Sequence, residues 1–173
     1  MKKIFVVLGC LFFANNFSCA IAKIDFISSA FTNNGVIPKQ YSCDGINTSP
    51  PLLWSGIPDD TKSLALILDD PDAPAGTWVH WIIFNMPPNS KGLQEGVLPL
   101  KDFSHEAKQG LNDFKKIGYG GPCPPSGTHR YFFKLYALDT KISLEGGATK
   151  KDLENSMKGH VISQAELIGK YKR

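Results

Sequence analysis

Two short apolar runs, joined by an acidic loop, constrain the fold of this chain more than any other feature. Leu64 to Leu68 and Val79 to Phe84 are continuously apolar, which is typical of β-strands that are covered on both faces. The acidic loop between them (residues 69–78) carries Asp70 and Asp72 and contains two prolines that restrict its backbone. A solvated surface turn has a similar composition. The sequence therefore predicts two buried strands, and residues further along decide between a surface turn and a polar pocket.

The first 22 residues, Met1 to Ala22, have the pattern of a secretory signal peptide. Two lysines precede an apolar run from Ile4 to Phe13, which is too short to span a bilayer. Ala20-Ile21-Ala22 then supplies an A-x-A cleavage site. We expect one mature domain, residues 23–173, that is periplasmic or secreted and has no transmembrane segment.

Charge and cysteine content limit the function classes. The proposed leader takes two of the 19 basic residues and none of the 16 acidic ones, which leaves a formal charge of +1. A chain so nearly neutral lacks the basic surface that nucleic-acid binding requires. Cys43 and Cys123 remain, and an even number of cysteines in an oxidising compartment favours a disulfide. Two free buried cysteines are the alternative.

A second loop, which we call the glycine-rich loop (residues 118–127), leads into an aromatic segment from His129 to Leu138. Aromatic residues favour strands, and the period of two places His129 and Tyr131 on the same face. The histidine and the tyrosine therefore point the same way at the start of this predicted strand.

The C-terminal part of the chain changes its period. Thr149 with Asp152 resembles a capping box and predicts a helix that Gly159 interrupts. Val161 and Ile168 belong to a set of apolar residues at helical spacing, so a second helix is expected after the glycine.

The two loops each lead to one histidine, His80 after the acidic loop and His129 after the glycine-rich loop. A lone histidine in a strand is most often a core residue, but two at equivalent positions suggest a site. With Asp70, the pair could bind a divalent metal or perform acid–base catalysis. Alternatively, ring N–H groups, the Tyr131 hydroxyl and backbone N–H groups of the glycine-rich loop could donate to an anion. The sequence has no Gly-x-Ser-x-Gly motif, and neither mature cysteine resembles a nucleophile.

These residues carry a resemblance to a known family. The segments 70–74, 78–81, 118–125 and 129–131 are similar to motifs of the phosphatidylethanolamine-binding protein family, in particular its bacterial, Raf kinase inhibitor-like branch. The similarity extends over essentially all of the mature chain, including Cys43-Asp44-Gly45. Both main motifs are long and ordered, which makes the match specific.

The resemblance implies a mainly β fold, a two-sheet antiparallel Greek-key β-sandwich with short peripheral and C-terminal helices. It also implies a small pocket for phosphate-type anions, with no metal and no cofactor. The ligand-binding residues implied by the match are Asp70, His80, Gly121, His129 and Tyr131. Four further residues are expected at the pocket rim, namely Asp72, Pro74, Trp78 and Pro122.

We interpret the chain as an exported binding protein, not an enzyme, whose ligand is a phospholipid head group or a phosphorylated small molecule. One alternative is a protein–protein inhibitor or signalling modulator, for example of a protease. The other is an enzyme that uses the His80 and His129 pair. The sequence leaves a protein partner and a homodimer open. Kinase inhibition is not carried over from the family, since the C-terminal segment differs from that of animal members and an exported protein meets no cytosolic kinase.

Overall fold

A computed structural model describes residues 23–104 and 106–173, which form ten strands, one 3-10 helix and one α-helix. The proposed signal peptide, residues 1–22, lies outside the described residues. The elements are β1 (Asp25–Ile27), β2 (Gly35–Val36), the 3-10 helix (Lys39–Tyr41), β3 (Leu52–Ser55), β4 (Ser63–Asp70), β5 (Trp78–Met86), β6 (Gly92–Leu93), β7 (Asp102–Ser104), β8 (Ala107–Gln109), β9 (Thr128–Leu138), α1 (Lys150–Met157) and β10 (Val161–Lys172).

The strands form two sheets. The larger has seven strands in the order β2-β10-β9-β4-β5-β8-β7, and the smaller has three in the order β1-β3-β6. Every pairing is antiparallel except that of β2 with β10, which is parallel. The expectation of a mainly β fold with two largely antiparallel sheets is confirmed, while the Greek-key connectivity stays a prediction.

Strands β4 and β5 lie at the centre of the large sheet and are covered on both faces, as their apolar runs predict. All eight residues of β4 are buried. On one face of β4, alternate residues belong to a core that also includes Phe26 and Trp54 of the small sheet; these residues are Leu64, Leu66 and Leu68. On the other face, Ile67 belongs to a second apolar cluster with Leu153 of α1. A strand buried on both faces has no place for alternating polar residues.

The predicted capping box and helix are confirmed. The Thr149 hydroxyl accepts a hydrogen bond from the Asp152 N–H, and the Asp152 carboxylate accepts one from the Thr149 N–H. Leu153 and Met157, four residues apart, are the buried residues of α1. Within residues 23–104 and 106–173, no helix is long and apolar enough to span a membrane.

The second C-terminal helix predicted after Gly159 is wrong, because this segment is the long strand β10. It pairs with β9 from Val161 opposite Leu138 to Lys172 opposite Thr128. Near the end of the strand every second residue is buried, namely Leu167, Gly169 and Tyr171. Pairing with an aromatic neighbour strand supplies hydrogen bonds and buried area that outweigh the weak helical spacing.

Candidate functional site

The acidic loop and the glycine-rich loop meet at the end of the large sheet where β4 ends and β5 and β9 begin. Because β5 and β9 flank β4 and both run antiparallel to it, the last residue of β4 lies beside the first residues of both neighbours. Asp70, His80 and His129 therefore come together around a cavity of about 340 Å³. The lining residues are Asp70, Ala73, Pro74, Ala75, Trp78, His80, Phe114, Cys123, Pro124, Pro125 and His129.

His129 forms a buried pair with Asp70. The Nδ1 of the ring lies 2.7 Å from Asp70 Oδ2, and both side chains are more than nine-tenths buried. The other carboxylate oxygen, Oδ1, accepts the N–H of Asp72 at 2.9 Å. Both oxygens of the Asp70 carboxylate are thus engaged, one by Asp72 and one by His129. This contact fixes the orientation of the His129 imidazole and leaves Nε2 as the remaining polar atom of the ring.

His80 has a different partner, a backbone carbonyl. Its Nδ1 lies 2.6 Å from the Gly120 oxygen, and its ring packs edge-on against Phe114 and Tyr131. Burial lowers the pKa of His80 below its ordinary value, outweighing the opposing effects of the Gly120 carbonyl and the Asp70 charge. At neutral pH this histidine is therefore uncharged.

Tyr131 lies behind His80 and not on the cavity wall. Its ring is fully buried, and its hydroxyl has no hydrogen-bond partner among the described residues. Burial, followed by the charge of Asp70, raises the pKa of this tyrosine, so it stays protonated. A buried hydroxyl without a partner is unusual and calls for an explanation such as a ligand or a water molecule.

The backbone of the glycine-rich loop is already engaged with the protein. The Gly120 N–H donates to the His80 carbonyl at 2.9 Å, and the Gly121 N–H donates to Asn47 Oδ1 at 2.8 Å. A Cβ atom at Gly121 would lie 2.3 Å from the Tyr41 carbonyl oxygen, so only glycine fits. In this structure Gly121 holds two loops together and directs no unpaired N–H into the cavity.

Two of the four expected rim residues, Pro74 and Trp78, line the cavity. Asp72 instead accepts three hydrogen bonds from Arg130, one from its backbone N–H and two from the guanidinium. This guanidinium lowers the pKa of Asp72 to about 2. Pro122 lies outside the lining and accepts the Cys43 N–H through its carbonyl.

The predicted disulfide between Cys43 and Cys123 is present, with 5.4 Å between the Cα atoms. Cys123 is itself a lining residue, so the crosslink attaches one wall of the cavity to the loop that follows the 3-10 helix. Arg173 lies against the crosslink, with Nη1 3.6 Å from Cys123 Sγ and Nε 3.0 Å from Asp44.

Several apolar lining residues were not predicted from the sequence. Phe114 lies between the two loops in sequence and packs edge-on against Trp78 and His80. Its mixed surroundings of glycine and charged residues gave no periodic signal. Pro124 and Pro125 belong to the glycine-rich loop, whose composition indicates a loop without showing which of its residues face the cavity.

The site contains few charges. Asp70 and the two histidines are the only titratable side chains among the described lining residues apart from the crosslinked Cys123, and no lysine or arginine is among them. Within the described residues, no cluster of three or more histidine, cysteine or acidic side chains could hold a metal ion. Among the described lining side chains, the polar atoms without a hydrogen-bond partner in the protein are the two histidine Nε2 atoms and Trp78 Nε1.

A larger cavity of about 560 Å³ lies near β6, β7 and β8. It is lined mostly by apolar residues such as Leu93 and Phe103, and Glu95 is its only charged residue among those described. Because no titratable groups converge there, the smaller cavity between the histidines is the better candidate site.

Comparison with known proteins places the chain in a family. A family model described as phosphatidylethanolamine-binding protein matches residues 27–172. A relative named UPF0098 protein, from Methanothermobacter thermautotrophicus, is 57% identical over 144 residues, which cover 83% of this chain and 95% of that protein. Another from Aquifex aeolicus is 46% identical over 160 residues, covering 91% and 93%.

Two crystal structures have the same fold. A phosphatidylethanolamine-binding protein homolog from Chlamydia trachomatis is 44% identical, with a TM-score of 0.81 over 88% of this chain and 99% of that one. Escherichia coli YbcL, described as a member of the mammalian PEBP family, is 34% identical, with the same TM-score and the same coverage. The chain therefore belongs to the phosphatidylethanolamine-binding protein family.

Proposed function

We propose that this protein is an exported binding protein whose cavity between His80 and His129 takes a phosphate-type anion. The observation that carries the proposal is the pair of buried histidines, each fixed through Nδ1 and each left with one free Nε2 at the same small cavity. Two ring nitrogens at one cavity suit an anion with several oxygens, and the cavity has the size of a small-molecule site.

The chemistry of the cavity supports binding over catalysis. The described lining residues include no serine, threonine or lysine, and Cys123 is crosslinked. No hydroxyl, amine or free thiol is therefore placed to act as a nucleophile, and the Asp70 carboxylate is engaged by His129 and by the Asp72 N–H. The family description names a phospholipid whose head group contains phosphate, which agrees with a phosphate-bearing ligand.

Calorimetric titration of inorganic phosphate at about pH 6 into wild type and Tyr131→Phe tests this proposal. The Tyr131 hydroxyl lies off the cavity wall, so it reaches the ligand only if binding uncovers it. In that case the variant should bind more weakly by about 0.5–3 kcal/mol. Its free energy of unfolding should change less than its binding free energy, because the hydroxyl has no well-formed hydrogen bond among the described residues. Normal binding by the variant would make Tyr131 a core residue only. No phosphate binding by wild type would refute the anion pocket.

Export is the second part of the proposal. A disulfide between Cys43 and Cys123 is typical of an oxidising compartment, in agreement with the leader pattern of residues 1–22. N-terminal sequencing of the protein recovered from outside the cytoplasm should give a chain that begins at Lys23. A start at Ile21 would indicate only cleavage after a second possible site, Ser18-Cys19-Ala20. An intact Met1 would contradict export through a cleaved leader.

A further inference from the structure

The larger cavity, of about 560 Å³, lies between β6 at the edge of the small sheet and β7 at the edge of the large sheet. Its lining includes Met86, the last residue of β5, whereas His80 lies near the start of that strand. Six residues of a strand span about 20 Å. None of the described residues that line this cavity lines the histidine cavity. The two cavities are therefore separate.

The floor of the larger cavity is part of the main apolar core. Met86, Leu93 and Ala107 line the cavity and belong to the core cluster, and each is at most 7% exposed. Val97 and Phe103, which pack against that cluster, are further lining residues. A cavity that reaches the core through apolar side chains offers an apolar ligand a large area shielded from water.

The wall that follows β6 is fixed by hydrogen bonds to the rest of the protein. The buried side chain of Gln109 donates to the carbonyl oxygens of Leu98 and Leu100, at 2.7 and 2.9 Å. The Ser49 hydroxyl accepts the Val97 N–H at 2.9 Å. The cavity is therefore formed before any ligand binds, and Leu98 remains 63% exposed at its rim.

Glu95 is the one charged side chain among the described lining residues. Its Oε2 accepts a hydrogen bond from the hydroxyl of the buried Tyr41 at 2.8 Å. Burial, followed by the hydrogen bond to Glu95, raises the pKa of Tyr41, so the hydroxyl stays protonated and donates. Glu95 forms no salt bridge with another described residue. The carboxylate is thus held at the cavity without a neutralising cation.

We propose that this cavity is a second binding site, for an amphiphilic cation whose apolar chain enters the cavity and whose ammonium group pairs with Glu95. An ammonium group has three donors and no acceptor, which suits a carboxylate whose Oε1 has no partner among the described residues. A ligand with a carboxylate would meet Glu95 with like charge. This inference goes beyond the proposed anion binding, and a failure of either site leaves the other untouched.

The test is calorimetric titration at about pH 7 with octylammonium, hexylammonium, octanol and octanoate. We expect octylammonium to bind about three- to tenfold more tightly than octanol and at least about tenfold more tightly than octanoate, because only the cation pairs with the carboxylate. It should bind about tenfold more tightly than hexylammonium, since it buries two more methylene groups. Equal affinity for octylammonium and octanoate would overturn the charge selection. Equal affinity for the two chain lengths, or no binding, would overturn the site.

Two pairs of variants separate the charge from the apolar wall. Glu95→Gln keeps an acceptor for the Tyr41 hydroxyl, so octylammonium affinity should fall to that of octanol while octanol affinity stays the same. Asp102→Asn is the matched control, because Asp102 is an exposed acid of β7 outside the lining. Leu98→Ser should weaken both ligands, whereas Leu100→Ser, also exposed but outside the lining, should weaken neither. Equal losses within either pair would contradict the proposal.

Carbon NMR of the methionine methyl groups locates the bound chain without a variant. Met86 lines the cavity, whereas Met157 is similarly buried in the second apolar cluster with α1. Octylammonium should shift the Met86 resonance and leave that of Met157 in place, and inorganic phosphate should not reverse the shift. An unchanged Met86 resonance would contradict the proposed location. Displacement of octylammonium by phosphate would place it in the histidine cavity and overturn the second site.

Discussion

Replacing both Cys43 and Cys123 with alanine is expected to lower the free energy of unfolding by about 3–5 kcal/mol. The disulfide joins residues 80 positions apart, and a crosslink that closes a long loop removes much conformational entropy from the unfolded chain. Since Cys123 also lines the cavity, anion binding should weaken in the same variant.

Urea unfolding of wild type and of the double variant, both without reductant, measures this difference. Wild type with reductant is the matched control, because it loses the crosslink without changing the sequence, and it should resemble the variant. If the free energy of unfolding of the variant is within about 1 kcal/mol of that of oxidised wild type, the unfolded chain gains little conformational entropy when the crosslink is lost. Labelling of both thiols by alkylation of unreduced, unfolded wild type would show that the disulfide does not form.

Asp70→Asn is expected to weaken sulfate binding at about pH 6 by roughly ten- to hundredfold, or about 1.5–3 kcal/mol. The amide has nearly the same shape, but it carries no charge and can accept only one of the two hydrogen bonds that the carboxylate accepts from His129 and Asp72. Nδ1 of His129 then loses its charged acceptor, and the ring loses the contact that fixes its orientation toward the anion.

The neighbouring Asp69 provides the control for this variant. It points to the opposite face of β4, where its fully buried carboxylate accepts hydrogen bonds from Lys134 and Lys150. Asp69→Asn should lower the free energy of unfolding by about 1–3 kcal/mol and leave sulfate affinity nearly unchanged. Equal losses of affinity in the two variants would mean that the loss of Asp70 acts through stability and not through His129.

Local patterns predicted the elements that depend on local chemistry. The apolar runs of β4 and β5 and the capping box before α1 each contain the residues that fix their conformation, so all three predictions are confirmed. Strand β10 could not be predicted in this way, because its hydrogen-bond partners lie in β9. A weak helical spacing is a poor guide where a neighbouring strand decides the conformation.

The site was predictable to a similar degree. The sequence placed Asp70, His80 and His129 at loop–strand junctions, and antiparallel pairing brings these three together. The partner of each side chain was not predictable. Asn47 accepts a hydrogen bond from the Gly121 N–H because two loops that are far apart in sequence come together. The contact of Phe114 with His80 likewise joins segments that are distant in sequence.

The pH dependence of sulfate and Zn²⁺ binding tests the anion pocket most directly. Sulfate remains a dianion and carries no proton, so tight binding requires charged histidines. Because burial lowers the pKa of His80 in the free protein, binding must take up protons. Affinity should therefore be greatest below the free pKa of His80, which lies under the ordinary histidine value of about 6.5, and fall as pH rises through the free and then the bound pKa values.

Calorimetric titration at several pH values between about 5 and 8 measures this slope for each ligand. A metal site requires the opposite sign, because protons compete with the metal for neutral imidazole. We expect sulfate affinity to fall with rising pH and to be lost in His80→Ala. Absence of sulfate binding, together with Zn²⁺ affinity that rises with pH and disappears in His80→Ala, would contradict it.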